Sequence, residues 1–276
     1  MSFRIQTNTS AMYANRQLNI INTQMEGALE KLSSGYRINH AADDAAGLAI
    51  SEKLRTQVNG LDQAARNVQD GISLIQTAEG GMEELHLMLQ RMRTLAIQSA
   101  NDTNTASDRA LIQTEVTQLL QEVNRMQTTV VFNGKQLLSG SYASGTGNVT
   151  LHVGADASQT LAMNIGSMST TGLGINAINI STQSGAETAI TSLTAAINTV
   201  STNRANLGAM QNRLEHTYNF VQVAEENMSA SESRIRDVDM AAEMVDYTKY
   251  QVLTQAATAM LSQANTRSGD VLALFS

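Results

Sequence analysis

Side chains that could carry chemistry are few in this sequence and lie far apart. It contains four histidines and no cysteine, which excludes any thiolate zinc or iron–sulfur site. Glu83 and His86 form half of the Glu-x-x-His pattern of di-iron helical bundles, but those sites need a second pair and two further glutamates. No second Glu-x-x-His occurs. We therefore interpret Glu83 and His86 as a solvated helix face and predict no metal ion, no cofactor and no catalytic residue.

Two further patterns favour structure over catalysis. Asn133-Gly134-Lys135 resembles the end of a phosphate-binding loop, but the earlier glycine at the required spacing is missing, so a tight turn is the better interpretation. The run from Ser233 to Asp239 alternates in charge sign and is typical of a salt-bridged helix face or corner. An enzyme would need a site, and the sequence shows none.

The composition excludes other classes of protein. The 276 residues include no proline, cysteine or tryptophan, and aromatic residues are only 4%, so the core must be built from Leu, Ile, Val, Met and Ala. The net charge of −7 argues against nucleic-acid binding. No run reaches the roughly 18 apolar residues of a membrane span. The polar N-terminus is not a Sec-type signal peptide, which points to the cytoplasm or to export by a route that reads a different signal.

Two long heptad patterns, here called the first and second seams, organise the chain. The first seam is Leu54, Leu61, Val68, Ile75, Met82, Leu89 and Ala96, and the second is Leu193, Val200, Leu207, Leu214, Val221, Met228 and Ile235. Such repeats are typical of coiled coils. Since one proline inside a helix costs about 3 kcal/mol, its absence permits long helices, and we predict one over 44–99. The apolar companions of the first seam change side near Gly80, which indicates a change of packing neighbour there.

The remaining segments predict shorter elements. The alternating spacing from Ile112 to Val130 predicts a third helix. Between residues 140 and 185 the chain is rich in Gly, Ser, Thr and Asn, and two alternating runs, 149–153 and 161–165, predict a β-hairpin. About 45 residues are too few for a core of their own, so we expect a small tip.

Both chain ends predict amphipathic helices. The apolar residues with helical spacing are Leu18, Ile21, Met25 and Leu32 near the N-terminus and Leu253, Met260 and Leu261 near the C-terminus, followed by Leu272, Leu274 and Phe275. Each apolar stripe must pack against the other or against a neighbouring molecule.

The sequence therefore predicts a mainly α protein: a long antiparallel coiled-coil rod with a small β-hairpin tip and with the chain termini paired as helices at one end. The predicted domains are an N-terminal assembly helix (1–40), the two parts of the rod (41–139 and 186–238), the tip (140–185) and a C-terminal assembly helix (239–276).

Several long motifs stand out along the chain. They are Glu30-Lys-Leu-Ser-Ser-Gly-Tyr-Arg-Ile-Asn39, Ala42-Asp-Asp-Ala-Ala-Gly-Leu-Ala-Ile50, Asp70-Gly-Ile-Ser-Leu-Ile-Gln-Thr-Ala-Glu79, Phe132-Asn-Gly-Lys135, Asn212-Arg-Leu-Glu-His-Thr217 and Glu232-Ser-Arg-Ile-Arg-Asp-Val-Asp-Met240. In these motifs the chain closely resembles bacterial flagellin. The resemblance covers about 1–140 and 186–276. The short middle departs from the many flagellins that carry large outer domains, and the ending at 273–276 is also less typical.

The resemblance implies a subunit of the extracellular flagellar filament, exported unfolded by the flagellar type III apparatus and assembled under a cap. It also implies contacts with copies of itself, with cap and hook-junction proteins and with an export chaperone, but none with nucleic acid or membrane. A hook–filament junction protein of related sequence and a soluble helical adaptor remain the alternatives.

We make a separate prediction for one face of the first long helix. At 100° per residue, with Leu89 at zero, Arg91 and Leu95 fall near 200° and 240°, so Leu95 is expected to be exposed on the outside of the rod. The segments around Arg91, Leu95 and Glu115 resemble those through which flagellin protofilaments pack and through which the vertebrate Toll-like receptor binds flagellin. The resemblance therefore implies a shared contact surface at these three residues.

Overall fold

The computed structural model describes residues 7–143 and 147–273, with side chains as far as residue 266. The described elements are α1 (Thr9–Ser34), α2 (Ala45–Ala100), α3 (Ala106–Thr129), β1 (Val131–Phe132), β2 (Lys135–Gln136), β3 (Val149–His152), β4 (Thr160–Met163), α4 (Gln183–Arg236) and α5 (Met240–Ala273). The mainly helical class is confirmed. The chain divides into a terminal unit, residues 1–56 and 227–276, and a middle unit, residues 57–226. Within the described residues, no helix has the length and apolar character needed to cross a membrane.

Local sequence sets the ends of the first two helices. α1 ends where Gly35 adopts a φ of 76°, and its N–H donates to Lys31 O, as is usual for a glycine that follows a helix. α2 begins after Asp44, whose Oδ1 accepts the N–H of Gly47 at 2.8 Å, a typical N-cap bond. The 56 residues of α2 then run without a break.

In the middle unit, α2 and α4 are antiparallel. Gln69 Nε2 donates to the Tyr218 hydroxyl at 2.9 Å, Arg204 Nη2 lies 3.4 Å from Glu79 Oε1, and Arg93 Nε donates to Thr194 Oγ1 at 3.3 Å. The partners on α4 descend in number as those on α2 ascend. The seam residues of this unit, each at most 7% exposed, are Leu61, Val68, Ile75, Met82, Leu89, Ala96, Leu193, Val200, Leu207, Leu214 and Val221. Leu54, Met228 and Ile235 belong to the terminal unit and are half-buried.

Two hairpins follow α3. β1 and β2 are joined by Asn133 and Gly134, whose φ values of 47° and 75° suit the two-residue type I′ turn, so the tight turn is confirmed. β3 and β4 pair antiparallel, with Val149 opposite Met163. This second hairpin packs on α2 where α2 has glycines, because a Cβ at Gly71 would lie 2.3 Å from Leu151 Cδ1.

We expect the same substitution at two α2 glycines to have different effects. At Gly80 an added Cβ meets nothing within 4 Å, so Gly80→Ala should raise the free energy of unfolding by about 0.5–1 kcal/mol. At Gly71 the methyl group overlaps Leu151, so the G71A variant should be less stable than G80A by about 1–3 kcal/mol. Urea titration of both full-length variants measures the difference. Equal stability would contradict the close approach of the hairpin to α2.

The segment after the second hairpin, residues 164–182 (the returning segment), contributes buried side chains to the core of the middle unit. Its apolar residues in the same core cluster as α2, α3 and α4 are Ile165, Met168, Leu173, Ile175, Ile178 and Ile180. Polar side chains of the helices satisfy its backbone: Gln113 Oε1 accepts the Ile180 N–H at 2.7 Å, and Ser99 Oγ donates to Ile180 O at 2.5 Å. Buried backbone groups need such partners, and here they replace regular secondary structure.

Candidate assembly surfaces

The two terminal helices pair in antiparallel fashion within the terminal unit. Asn8 caps α1 by accepting the N–H of Ala11, and its Nδ2 donates to Ala264 O at 2.9 Å. At the other end of α1, Lys31 Nζ lies 3.9 Å from Glu243 Oε1. The start of α1 therefore lies beside the far part of α5, and the predicted pairing of the chain termini as helices is confirmed.

A corner holds the connection after α1 to the connection before α5. The Arg37 N–H donates to Arg236 O at 2.7 Å, and the Val238 N–H donates to Gly35 O at 3.0 Å. The Arg236 guanidinium lies 4.8 Å from the centre of the Tyr36 ring and 2.6 Å from Glu52 Oε1. The charged run that ends α4 is therefore the salt-bridged corner that its alternating signs predict.

The paired helices leave much apolar surface uncovered. Of the 18 large apolar side chains that are exposed in the described part of the chain, ten lie on α1 and α5: Met12, Tyr13, Ile20, Leu29, Met240, Met244, Val245, Val252, Leu253 and Met260. Exposed apolar side chains concentrated on two helices in this way favour an interaction site there.

The residues predicted for assembly differ in their exposure. Ile21 is buried, Leu18, Met25, Leu32 and Leu261 are half-buried, and Leu253 and Met260 are exposed. Leu274, Phe275 and the side chain of Leu272 lie outside the described residues.

α5 has apolar residues on two different faces. Tyr250, Ala257 and Ala264 repeat every seven residues and are half-buried, and the Ala264 carbonyl is the one that α1 contacts. Val245, Val252 and Ala259 repeat in the same way but are exposed. The two series are five residues apart, which places them about 140° apart around the helix. The second face, which we call the open face of α5, therefore points away from α1 and has no partner among the described residues. Sequence reasoning missed it, although its heptad spacing is visible in the sequence.

The second candidate surface is an ion pair between α2 and α3. Arg91 Nε and Nη2 both contact Glu115 Oε1, at 2.8 and 2.7 Å, and both side chains are about half exposed. The exposed apolar residues next to it are Leu87, one turn before Arg91, and Leu111, one turn before Glu115. Sequence reasoning did not single out these two leucines, although their i−4 spacing could have identified them.

The expectation that Leu95 is exposed is wrong. Leu95 is 2% exposed and belongs to the core cluster that also contains Val116 and Val123 of α3. The angle from Leu89 was correct, but α3 packs on that side of α2 and covers it. Leu95 is therefore a core residue of the middle unit and is not available to a partner.

A capping box fixes the start of the helix that carries Glu115. The Thr105 hydroxyl accepts the Asp108 N–H at 3.3 Å, and Asp108 Oδ2 accepts the Thr105 N–H at 3.0 Å. The Thr105 hydroxyl also donates to Asp108 Oδ2 at 2.7 Å. This side-chain bond and the backbone bond from Thr105 hold the pKa of Asp108 below its ordinary value of 3.8. Asp108 is therefore ionised at neutral pH and stabilises α3.

We expect Asp108→Asn to lower the stability of the middle unit at pH 7. Because the pKa of Asp108 is lowered on folding, its contribution is present above the ordinary pKa and is lost as the pH falls through the lowered one. The difference between wild type and D108N should therefore shrink as the pH falls below the ordinary value of 3.8. Urea titrations at several pH values measure it, with Asp70→Asn, inside α2, as the control for removing a carboxylate. A difference that stays constant down to pH 2 would refute the role of the cap.

The side chains of the described residues form no cluster of three or more His, Asp or Glu that could hold a metal ion. His86 contacts Gln90, with 2.8 Å between His86 Nε2 and Gln90 Nε2.

The long helices are antiparallel, the terminal helices are paired, and the terminal helix α5 is apolar on a second face. These features define a class of helical subunit that contacts other copies. Comparison with known families agrees. The bacterial flagellin N-terminal helical region matches residues 5–143, and the C-terminal helical region matches residues 190–275. The chain belongs to the bacterial flagellin family.

Relatives of similar length match the whole chain. It is 48% identical to the flagellar filament 33 kDa core protein of Treponema phagedenis, with 98% of this chain and 99% of the relative covered. It is 44% identical to flagellin of Bacillus subtilis, with the same coverage.

Solved structures match part of the fold. The crystal structure of Bacillus cereus flagellin matches with a TM-score of 0.50 at 34% identity and covers 60% of this chain and 94% of that one. A putative flagellar hook-associated protein from Vibrio parahaemolyticus has a TM-score of 0.60 at 14% identity, covering 71% and 100%, which shows a shared fold alone.

Proposed function

We propose that this chain is a structural subunit that polymerises into the bacterial flagellar filament, and that burial of the apolar faces of α1 and α5 drives polymerisation. The observation that carries this proposal is the open face of α5, where Val245, Val252 and Ala259 repeat every seven residues and are exposed in the described part of the chain. A helix that is apolar all round is normally buried on all sides. Burying one such side chain fully contributes about 1.5–3 kcal/mol, so neighbouring copies gain by covering this face.

The family membership supports the finer parts of the proposal. The relatives are named as filament core proteins and flagellins, and on this basis we propose that the subunit lies outside the cell, in a flagellum rotated for swimming. We further propose that the chain is exported unfolded through the flagellar type III apparatus and that a chaperone covers the terminal helices before assembly. The proposal also includes contacts with cap and hook-junction proteins. We infer no enzymatic activity.

A polymerisation assay tests the proposal directly. Purified, depolymerised chain is brought to conditions that favour assembly and examined by electron microscopy, beside chains that lack residues 1–35 or 240–276. We expect filaments from the full chain only. Hydrogen exchange should show α1 and α5 unprotected in the monomer and protected in the polymer. Filaments from either truncated chain would refute the proposal.

The surface around Arg91 and Glu115 is the proposed second contact, both between neighbouring subunits and, in the free monomer, with the vertebrate Toll-like receptor for flagellin. An exposed ion pair contributes only about 0.2–1 kcal/mol to folding, so removing it leaves the monomer folded. Arginine is enriched among the residues that contribute most to the binding energy of protein interfaces. The exposed Leu87 and Leu111 supply the apolar part of this surface.

Alanine substitutions separate contact from stability at this surface. We expect Arg91→Ala and Glu115→Ala to reduce swimming, and to reduce receptor activation by the monomer about tenfold. The matched control is Arg66→Ala, because Arg66 makes an exposed ion pair with Asp62 at 2.8 Å on the same helix. Full receptor activation and normal swimming by R91A would refute the shared surface.

A further inference from the structure

The described methionines differ in exposure according to their location. The four that are exposed all lie on the terminal helices: Met12 (64%), Met240 (48%), Met244 (47%) and Met260 (66%). The four that are buried, at 2% exposure or less, all lie in the middle unit: Met82, Met92, Met163 and Met168. Met25, Met88, Met126, Met210 and Met228 are half-buried. The chain therefore presents its accessible thioethers on the two helices that are proposed to polymerise.

An exposed thioether reacts with peroxides. The sulfur lone pair attacks one oxygen of hydrogen peroxide, the O–O bond breaks, and the products are methionine sulfoxide and water, so no further reagent is needed. The reaction changes an apolar, flexible side chain into a polar one, and reductases specific for each sulfoxide epimer reverse it. Its rate depends on how easily the oxidant reaches the sulfur, so exposed methionines react before buried ones.

We propose that Met12, Met240, Met244 and Met260 are peroxide-sensitive modification sites, and that their oxidation reversibly blocks polymerisation of the free subunit. The inference rests on the proposed function. Met260 lines the groove between α1 and α5 together with Tyr13 and Ala257, and Met240 and Met244 are one turn apart on α5. A sulfoxide oxygen at these positions would have to be buried without a hydrogen-bond partner when copies associate, which is unfavourable.

The location of these sites also sets when they react. The core of the middle unit contains no exposed methionine among the described residues, so oxidation leaves its packing unchanged. In the polymer the same four side chains are covered, so a filament resists the oxidant that inactivates its free subunits. Oxidation therefore acts on unassembled subunits and not on the filament.

Peptide mass spectrometry and a polymerisation assay test the inference on the full-length chain. Depolymerised chain is treated with dilute hydrogen peroxide, and sulfoxide is quantified at each methionine. We expect the four exposed methionines to react about tenfold faster than Met82, Met92, Met163 and Met168, and about tenfold faster in the monomer than in the polymer. The critical concentration for polymerisation should rise about tenfold for each buried sulfoxide and return to its starting value after treatment with both classes of sulfoxide reductase.

Leucine variants identify which methionines matter. In the quadruple variant, Met12, Met240, Met244 and Met260 are all changed to Leu. Its critical concentration after peroxide treatment should lie within about twofold of its critical concentration without peroxide. The control, M126L/M210L, should remain as sensitive as wild type. Equal sensitivity of the quadruple variant, normal polymerisation of the oxidised wild type, or failure of the reductases to restore it would each overturn the inference. A wild-type chain that never polymerises, with or without peroxide, contradicts the proposed function instead. In that case the oxidation rates still test the modification sites, and equal rates at exposed and buried methionines would overturn their assignment.

Discussion

Aspartate at Val68 or at Leu214 is expected to unfold the middle unit. Both side chains are fully buried in the seams between α2 and α4, and a buried carboxylate without a partner costs several kcal/mol. That cost is comparable to the whole free energy of unfolding of a domain, about 5–15 kcal/mol. Circular dichroism of the full-length V68D and L214D chains should therefore show loss of most helical signal from the middle unit at a temperature where wild type is folded.

The control for this experiment is Gln76→Asp, because Gln76 is exposed and lies on α2 beside the same seam. We expect its melting temperature to stay within a few degrees of wild type, as is usual for surface substitutions. If V68D also melted within a few degrees of wild type, the assignment of Val68 to a packed seam would be incorrect.

Aspartate at Val252 is expected to prevent polymerisation without unfolding the monomer. Val252 is 63% exposed on the open face of α5, so the charge is tolerated in the free chain. In a filament that buries this face, the same carboxylate would lose its water, and the critical concentration should rise by about a hundredfold or more. Light scattering during assembly and thermal melting of the monomer give the two readouts.

Val252→Ile is the matched control, because it keeps the side chain apolar and β-branched. We expect V252I to polymerise near the wild-type critical concentration. Assembly of V252D at that same concentration would show that the open face of α5 stays solvated in the polymer, and the proposed driving force would then have to come from other surfaces.

The elements governed by local periodicity could be predicted closely from the sequence. The long helix expected over 44–99 is α2, Ala45–Ala100, because seven heptads give a repeated signal and Asp44 marks the start. The alternating runs expected to pair as a hairpin are β3 and β4, with Leu151 opposite Leu161. In each case the residues that determine the element lie within it or directly before it.

The features that depend on packing against an element distant in sequence could not be predicted in this way. Leu95 has the angular position of an exposed residue relative to the first seam, and only the packing of α3 on that side of α2 makes it buried. The returning segment is rich in small polar residues, and its isoleucines at 175, 178 and 180 fit neither a helical nor a strand period. Its burial depends on Gln113 and Ser99, which are far away in sequence and close in space.

The β3–β4 hairpin offers a site for the insertion of a foreign domain. The chain enters this hairpin at Val149 and leaves it at Met163, and these two residues are directly paired, so their Cα atoms are about 5 Å apart. Ala155 packs against Gly60 of α2, but residues 156–159 of the turn are exposed. We therefore expect a foreign domain with adjacent termini, inserted between Asp156 and Gln159, to leave α2 and α4 in place. Each doubling of the length of a flexible loop adds only about 0.6 kcal/mol to the entropic cost of closing it. The subunit can thus vary in size at this turn while its terminal helices keep the same sequence and the same contacts.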